Sequence, residues 1–468
     1  MRVNTTHPEY SEALPKWVMV DDVCEGGRKV KSKSTLYLPM VGACGDAEQN
    51  QRVYDAYRAR AVFFEVTKDT LHNHVGLAFS EDPTFVPDGM DFLKSDADGA
   101  GKSIYQIFQT ALDGLLRHGR GGLLADYPVS DKELSQADVA KGEIRPTITH
   151  YSALQIINWR VKKVGNVYKV SMIVLKEERE EQDPQDKFKL RTVTEYRVLE
   201  LDEFGFYSVQ LYTDDGKLGG ELVAGQVYNP TKANGSKWTE IPFIPVGSQS
   251  NDFEIDDIPL ESLAEMNLAH YRNSAEYENS VFFTGQVQPV ISNLDEQQAE
   301  QLNKSGIKLG SNSPLTLWGD AKFEYVQAKE VMIAKEAMGD KFKYMQSLGA
   351  KVLDRQTSVK TATQVDEEAA TQHSVLSLCV SNLNEAAEFC LQCCAEFHGS
   401  GDKAVFSIKQ DFARGKVSLE ELKFYAEQVD SERLSKQTFH VIRTTGKVPE
   451  VSYEEEQKLI ELERNSMA

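Results

Sequence analysis

The sequence predicts an α+β chain, mainly helical. Three observations carry this. Apolar residues recur at helical spacing through residues 1–140 and again beyond 251. β-Branched and aromatic runs fill 141–250. Two long helical stripes are separated by a polar break at 355–362.

The N-terminal block reads as helices. Gln49 to Phe64 places Val53, Ala56, Tyr57, Ala61 and Phe64 in helical register, and Ser103 to Leu116 repeats the pattern from Ile104 to Leu115. Arg117 to Gly122 then supplies a C-cap and turn. Leu123 to Pro128 is a short buried strand with Asp126 exposed at its end. Val167 to Val174, Thr194 to Leu199 and Phe206 to Tyr212 suggest antiparallel hairpins, with the acidic run Glu177 to Asp186 as a solvated tip and a turn at Asp214-Asp215-Gly216. Ile241 to Val246 is an extended connector, since its prolines exclude a helix interior.

A helix is predicted from near Pro259, with acids just before it and an N1 proline. Its apolar face holds Leu260, Leu263, Ala264, Leu268, Tyr271 and Ala275. Residues 286–328 follow as a β-type run (Val287 to Ile291), a small helix (Asp295 to Asn303) and a second β-type region (Leu315 to Val326). Glu330 to Leu353 is a helix of ~36 Å at ~1.5 Å per residue. Asp354 to Thr361 breaks it. Thr363 to His398 carries an apolar stripe through Leu376, Cys379, Leu383, Ala386, Cys390, Cys393 and Phe397, over ~54 Å if helical throughout. A turn at Gly399 to Gly401, a strand (Ala404 to Ile408) and two or three charged helices over Ser418 to Arg464 complete the chain.

Composition narrows the function. The chain has 468 residues, 41% hydrophobic, with a net charge of −20. A protein that grips nucleic acid by its phosphates normally carries a basic balance, so tight static DNA binding is disfavoured, whereas a surface that DNA slides past is allowed. No apolar run approaches the ~20 residues that span a bilayer, and Met1 to Tyr10 lacks the apolar stretch of a signal peptide. Six cysteines at this length do not make a disulfide scaffold, which points to a reducing, cytosolic site of assembly.

The apparent chemical motifs are weak. Gly101-Lys102-Ser103 resembles the end of a phosphate-binding loop, but Asp96 stands where a glycine is required, and a helix start at Ser103 explains it better. Asp96-x-Asp98 hints at a calcium loop, yet Ile107 falls where a bidentate carboxylate is needed. Cys390-x-x-Cys393-Cys394 with His398 could chelate zinc, since Cys390, Cys394 and His398 share a helix face. The competing reading is core packing, because Cys379, Cys390 and Cys393 lie within the apolar stripe. No serine, histidine and acid converge into a nucleophilic triad.

Charge is unevenly placed. Asp256 to Ser280 holds six acids and one arginine, and Lys329 to Arg355 holds six bases and four acids. One helix is therefore strongly acidic and the other basic. The polar break adds Arg355 and Lys360.

This order of elements resembles the tailed-bacteriophage portal protein (head-to-tail connector) family. The resemblance is carried by the Ile241 to Pro245 entry, the acidic helix with Leu268-Ala269-His270-Tyr271-Arg272-Asn273-Ser274, and the elements that follow it. Tyr37-Leu38-Pro39, Tyr57-Arg58-Ala59-Arg60-Ala61, Asp96 to Gly101 and Gly119 to Pro128 are similar to one subfamily. The resemblance implies a wing at 1–250 (helical 1–140, β-rich 141–250), a first stem helix at 251–285 and a clip at 286–328. It further implies a second stem helix at 329–354, a tunnel loop at 355–362, a long helix and wing strand at 363–416, and crown-like helices at 417–468.

The resemblance implies a ring, usually of twelve subunits, at one capsid vertex of the virion, assembled in the host cytoplasm. Double-stranded DNA enters and leaves through its channel in packaging and ejection. The terminase large subunit docks on the clip, tail or head-completion adaptors replace it, and major capsid and scaffolding proteins are further partners. Neither a catalytic residue, a cofactor nor a membrane is expected. Arg355, Lys360 and Lys351 are the expected DNA-facing residues. Val287, Val290, Ile291, Leu315, Leu317 and Trp318 are the expected clip and interface residues. Two rival readings remain: an intracellular enzyme whose site is assembled from distant residues, and a zinc-stabilised scaffold built on the Cys390 cluster.

Overall fold

Local signals place most elements where the sequence puts them. The computed structural model describes residues 2–40, 45–127, 145–183, 186–214, 222–286, 288–306, 317, 319–327, 332–353, 374–410, 419–431, 433–445, 451 and 453–467. The described helices are Pro8–Glu25 (α1), Gly27–Ser32 (α2), Ala47–Arg60 (α3), Val66–Ala78 (α4), Ile104–His118 (α5), Glu261–Thr284 (α6), Glu296–Ser305 (α7), Ile333–Leu353 (α8), Val375–His398 (α9), Leu419–Asp430 (α10), Lys436–Thr445 (α11) and Tyr453–Met467 (α12). The strands are Thr84–Val86 (β1), Arg120–Asp126 (β2), Thr147–Ser152 (β3), Ile156–Val164 (β4), Val167–Asp183 (β5), Asp186–Leu201 (β6), Tyr207–Thr213 (β7), Val223–Ala224 (β8), Phe243–Gly247 (β9), Gln288–Ser292 (β10), Lys322–Val326 (β11) and Val405–Ser407 (β12). They divide between two units. One comprises residues 1–17, 70–260 and 349–468, the other 18–69 and 261–348.

The first unit is organised around β2. This strand is buried along almost its whole length and lies between β3 and β9, antiparallel to both. Helices α5 and α9 pack on the sheet. Ser103 caps α5 in a capping box with Gln106, and Gly119 ends it in the left-handed conformation at φ 69°. A side chain at Gly119 would fall 2.6 Å from the Asp257 carbonyl oxygen, so backbone proximity as well as φ demands glycine. The expected turn over Arg117 to Gly122 shrinks to that one residue, because Arg120 already pairs with Gly247. Gly122 admits the Phe243 ring, which a Cβ would meet at 2.2 Å.

Two further expectations are corrected here. Ile241 to Val246 is not a free connector, since Phe243–Gly247 forms edge strand β9. Its Pro245 is tolerated because an edge strand needs no second ladder of donors. Asp126 is not an exposed strand end. It accepts a hydrogen bond from Arg197 Nη1 at 2.8 Å, and Arg197 Nε reaches Glu177 at 2.7 Å. The Tyr151 hydroxyl donates to the same Glu177 at 2.5 Å. Burial raises the Tyr151 hydroxyl well above its usual range, so it stays protonated as a donor. Of the long helix expected over 363–398, residues 363–373 lie outside the described residues; α9 itself starts after Ser374, which is extended and whose hydroxyl accepts the Ser377 N–H as an N-cap. The 24 residues of α9 therefore span ~36 Å.

A five-stranded antiparallel meander, in order β4-β5-β6-β7-β8, completes the strand content of 145–246. Its inward side chains include Trp159, Ile173, Leu175, Leu199 and Val209. Trp159 also stacks on His7 and lies 3.9 Å from the Arg120 guanidinium, which is fully buried. The acidic run expected at a hairpin tip is paired strand as far as Asp183, continuous with β5. In the C-terminal region α10, α11 and α12 are three helices. Glu456 and Glu463 of α12 accept the N-terminal N–H groups of α11, from Ser435, Lys436 and Gln437.

His150 gives a measurable consequence. Its ring is wedged against Gly114 and Gly121, and Nε2 has no hydrogen-bond partner among the described residues. Burial pushes its pKa down to about 4, with His118 and Lys102 adding repulsion. Between that value and the unfolded value of ~6.5, the unfolded chain binds a proton that the folded chain refuses. Stability from this group is complete above ~6.5 and declines as pH falls toward 4, by up to ~3 kcal/mol. Urea titrations of wild type and His150→Leu across this window should show a shallower pH slope in the variant. Parallel slopes would remove His150 as the cause.

Candidate functional site

The second unit builds a helix–hairpin–helix from the middle of the chain. Its first helix, α6, buries Leu263, Ala264, Leu268, Tyr271 and Ala275 along one face, with Asn267, His270 and Ser274 between them. The N-terminal segment after α3 lies along this face. The sequence pattern extends α3 through Phe64, but the helix stops at Arg60 and residues 61–65 leave regular structure. The reason lies in α6. Ser274 Oγ accepts the Val62 N–H at 3.1 Å and donates to the Val62 carbonyl. Asn267 Oδ1 accepts from the Thr67 N–H at 3.2 Å and its hydroxyl at 2.9 Å, while Nδ2 donates to the Phe64 carbonyl at 2.8 Å. These side chains satisfy backbone groups that a longer α3 would have paired internally.

More bonds extend the seam. The Tyr57 hydroxyl donates to Glu276 at 2.8 Å, Arg60 donates to Asn279 at 2.7 Å, and the Arg60 guanidinium sits 4.3 Å over the Phe282 ring. Burial and the Glu276 carboxylate push the Tyr57 pKa up, which keeps it a donor. Arg272 donates to the Tyr37 carbonyl, and the Tyr37 hydroxyl donates to buried Asp22 at 2.6 Å. Lys33 pairs with Asp22 at 3.1 Å. Tyr57 and Arg60, together with the Tyr37 carbonyl, therefore fix α6.

Beyond α6, β10 and β11 pair antiparallel, from Gln288 opposite Val326 to Ser292 opposite Lys322. Between them α7 starts at Asp295 in a capping box with Gln298. Gln327 Nε2 donates to the Thr284 carbonyl at 2.6 Å and ties the hairpin base to the end of α6. The return helix α8 carries four lysines and two acids, whereas α6 carries four glutamates and one arginine. Lys341 reaches the Asn273 amide oxygen at 3.2 Å, and Phe64 meets both His270 and Phe342 edge-on or tilted.

Apolar side chains stand out on this module. Among the described residues, ten of the 28 exposed large hydrophobic side chains fall between Val281 and Tyr344. Ile333 is 76% exposed and Tyr325 61%, with Phe282, Phe283, Val326 and Tyr344 also open. Scattered single exposures are ordinary, but such a concentration marks a surface made to be covered.

Of the expected interface residues, Val290 is exposed on β10, Ile291 is half-buried beside it, and Leu317 is half-buried outside the strands. Val287, Leu315 and Trp318 lie outside the described residues, as do Arg355 and Lys360. Lys351 lies on the last turn of α8, with its side chain outside them too. The thiols of Cys379, Cys390, Cys393 and Cys394 are buried in the inward face of α9, and burial raises all four, Cys379 and Cys394 to about 12. His398 instead meets the Phe92 ring edge-on. Among the described residues no three His, Cys, Asp or Glu side chains converge to hold a metal ion. Asp96 accepts from the Gly101 N–H and pairs with Arg145, and Asp98 accepts from the Ala100 and Lys102 N–H groups, which makes the acidic turn a helix approach. No described helix is long and apolar enough to cross a membrane.

Sequence reasoning missed Asn267 and Ser274 as the residues that hold the 61–67 segment. A polar residue repeating within an apolar helical stripe was the available signal. Replacing Asn267 with Ala strands the buried Thr67 N–H and hydroxyl and the half-buried Phe64 carbonyl. Equilibrium unfolding should show a loss of about 2–3 kcal/mol, against under 1 kcal/mol for exposed Glu265→Ala. Equal losses would contradict this placement.

Residues 259–398, from the start of α6 to the end of α9, match the family model described as a domain of unknown function, DUF4055. No curated protein matches the chain. Among solved structures, the chain is similar to one in the virion of the native gene transfer agent (GTA) particle, at 11% identity and TM-score 0.40, over 93% of this chain and 99% of that one. It is also similar to a chain in the neck of the empty GTA particle computed with C6 symmetry (12%, TM-score 0.40, 85% and 90% covered). A third is in the neck of the native GTA particle computed with C12 symmetry (12%, TM-score 0.39, 89% and 99% covered).

Proposed function

We propose that this chain is a portal subunit: copies close into a ring at one capsid vertex and conduct double-stranded DNA through the centre. The observation that carries the reading is the apolar surface on α6, the β10–β11 hairpin and α8. A single copy leaves it open to water, and burial in the next copy removes it at about 25 cal/mol per Å². The acidic α6 and basic α8 suit this arrangement, since α6 of one copy beside α8 of the next sets opposite charges together.

Electrostatics support conduction over gripping. At a net charge of −20 per chain, a ring wall mostly repels phosphates within a Debye length of ~8 Å. Arg355, Lys360 and Lys351 supply sparse cations near the end of α8, and symmetry turns each into a ring of charge. Few phosphate contacts mean few released counterions and weak retention. In this reading the β10–β11 hairpin with α7 is the clip that receives the terminase large subunit and, later, tail or head-completion adaptors. Capsid and scaffolding proteins surround the ring, and the chain itself performs no catalysis.

Native mass spectrometry and negative-stain imaging of the purified chain should show a closed ring with a central hole. Phe283→Glu with Ile333→Glu should leave monomers. A wild-type chain that stays monomeric at micromolar concentration would end the reading. Within an assembled ring, Arg355→Ala with Lys360→Ala should lower DNA packaging or retention. Unchanged packaging would free those two residues of the DNA-facing role.

A further inference from the structure

We propose that the groove between the outer face of α9 and the free edge of β12 takes an extended basic polypeptide segment of a partner protein, added as a third strand beside β12. The inference does not depend on the ring reading.

The small sheet supplies the edge. β12 pairs with β1 alone, from Thr84 opposite Ser407 to Val86 opposite Val405, without a register shift. Its other edge turns toward α9. Asn384 Nδ2 donates to the Ile408 carbonyl at 2.9 Å, and its Oδ1 accepts the Ile408 N–H at 2.8 Å. One amide side chain thus stands in for a neighbouring strand at a single rung. Backbone groups alternate sides along a strand, so the N–H and C=O of Phe406, two residues earlier, point the same way. Among the described residues no loop backbone takes that next rung. The Phe406 ring stacks on Phe108 at 4.6 Å, which holds the edge in place from the core side. A two-stranded sheet is marginal in water, and an unpaired edge is a template for another chain.

Space and charge name the occupant. α9 and residues 401–407 enclose a groove of about 820 Å³. Glu385, Glu388, Glu396 and Asp402 line it, against one base, Lys403. Glu396 is paired with Lys232, and Glu385 takes only a neutral amide, from Asn251 at 2.9 Å. Glu388 and Asp402 are exposed and in no ion pair among the described residues. Lys409, just past the strand, is held by Glu81, and Asp88 accepts the Lys403 N–H at 2.9 Å. The groove therefore keeps a negative balance that suits lysine or arginine. A polypeptide fits better than a free cation, because only a backbone offers both a donor and an acceptor to the open rung. Val86 and Val405, directly opposite each other, are 48% and 50% exposed and give an added strand an apolar pair to cover.

Fluorescence anisotropy with the full-length chain tests this. The probe is a labelled octapeptide alternating lysine and valine. It should bind the wild type, and its glutamate–valine counterpart should not. Glu388→Lys with Asp402→Lys should weaken binding at least about tenfold. Reversing two exposed acids elsewhere, Glu203→Lys with Glu265→Lys, should leave it within about twofold, since distant surface charges are screened. A fully N-methylated probe, equal in charge but unable to pair as a strand, should fail to bind. Hydrogen exchange at the Phe406 amide should slow when the unmodified probe is present. A wild type that ignores the probe, or binds the acidic counterpart as well, overturns the proposal. Equal losses in the two charge variants overturn the groove as the site. Full affinity for the methylated probe overturns strand addition.

Discussion

Strand β2 is the constraint from which the first unit follows. It is buried between two neighbours and beneath two helices, so each charged side chain on it needs some compensation for lost water. Its first residue, Arg120, spends its charge on an aromatic ring rather than on water. Its last, Asp126, is neutralised by Arg197 from the neighbouring meander. A glycine at each critical contact, Gly119 and Gly122, lets the 256–257 backbone and the Phe243 ring approach. One buried strand thereby determines where helix α5 ends, where β9 must lie, and where the meander attaches.

Polar residues, not apolar ones, specify the second unit. Its helix α6 presents an apolar stripe that many partners could cover. Asn267, Ser274 and Glu276 select one, by offering acceptors and donors to the backbone and hydroxyls of residues 57–67. Such contacts add modest net energy each, but an unmatched partner costs the full desolvation of a buried group. The pairing of two segments about 200 residues apart in sequence is therefore specific as well as stable.

This division explains what the sequence made legible. Helix ends governed by a residue and its third neighbour, such as Ser103 with Gln106 and Asp295 with Gln298, could be read locally. So could the β-branched and aromatic runs of β5 to β7 and the burial of the cysteines in the α9 stripe. The errors fall where a distant partner decides. Pro242 and Pro245 look like a connector until β2 supplies an edge to join. Asp126 looks exposed until Arg197, 71 residues on, arrives. Phe64 looks helical until Asn267 captures its carbonyl. At the candidate site, the hairpin around Val290 and Ile291 was readable from its β-type runs. The exposed residues of α6 and α8 were not, because an apolar stripe in a sequence does not say whether its cover is the same chain or another.

The combination of surface properties narrows the physical role further. Exposed apolar helices on a chain of net charge −20 pull in opposite directions, toward association and toward repulsion. Both demands are met when contacts are confined to defined patches and the remaining charge faces solvent or an aqueous channel. A nucleic-acid clamp would need the reverse distribution, with basic residues spread along the contact and large counterion release on binding. Here the four lysines of α8 share their helix with exposed Ile333, Phe342 and Tyr344, the mixture of apolar and charged residues common at protein interfaces. In the proposed ring, cations beside exposed apolar residues suit contacts between subunits, and an acidic remainder would hold a polyanion only weakly.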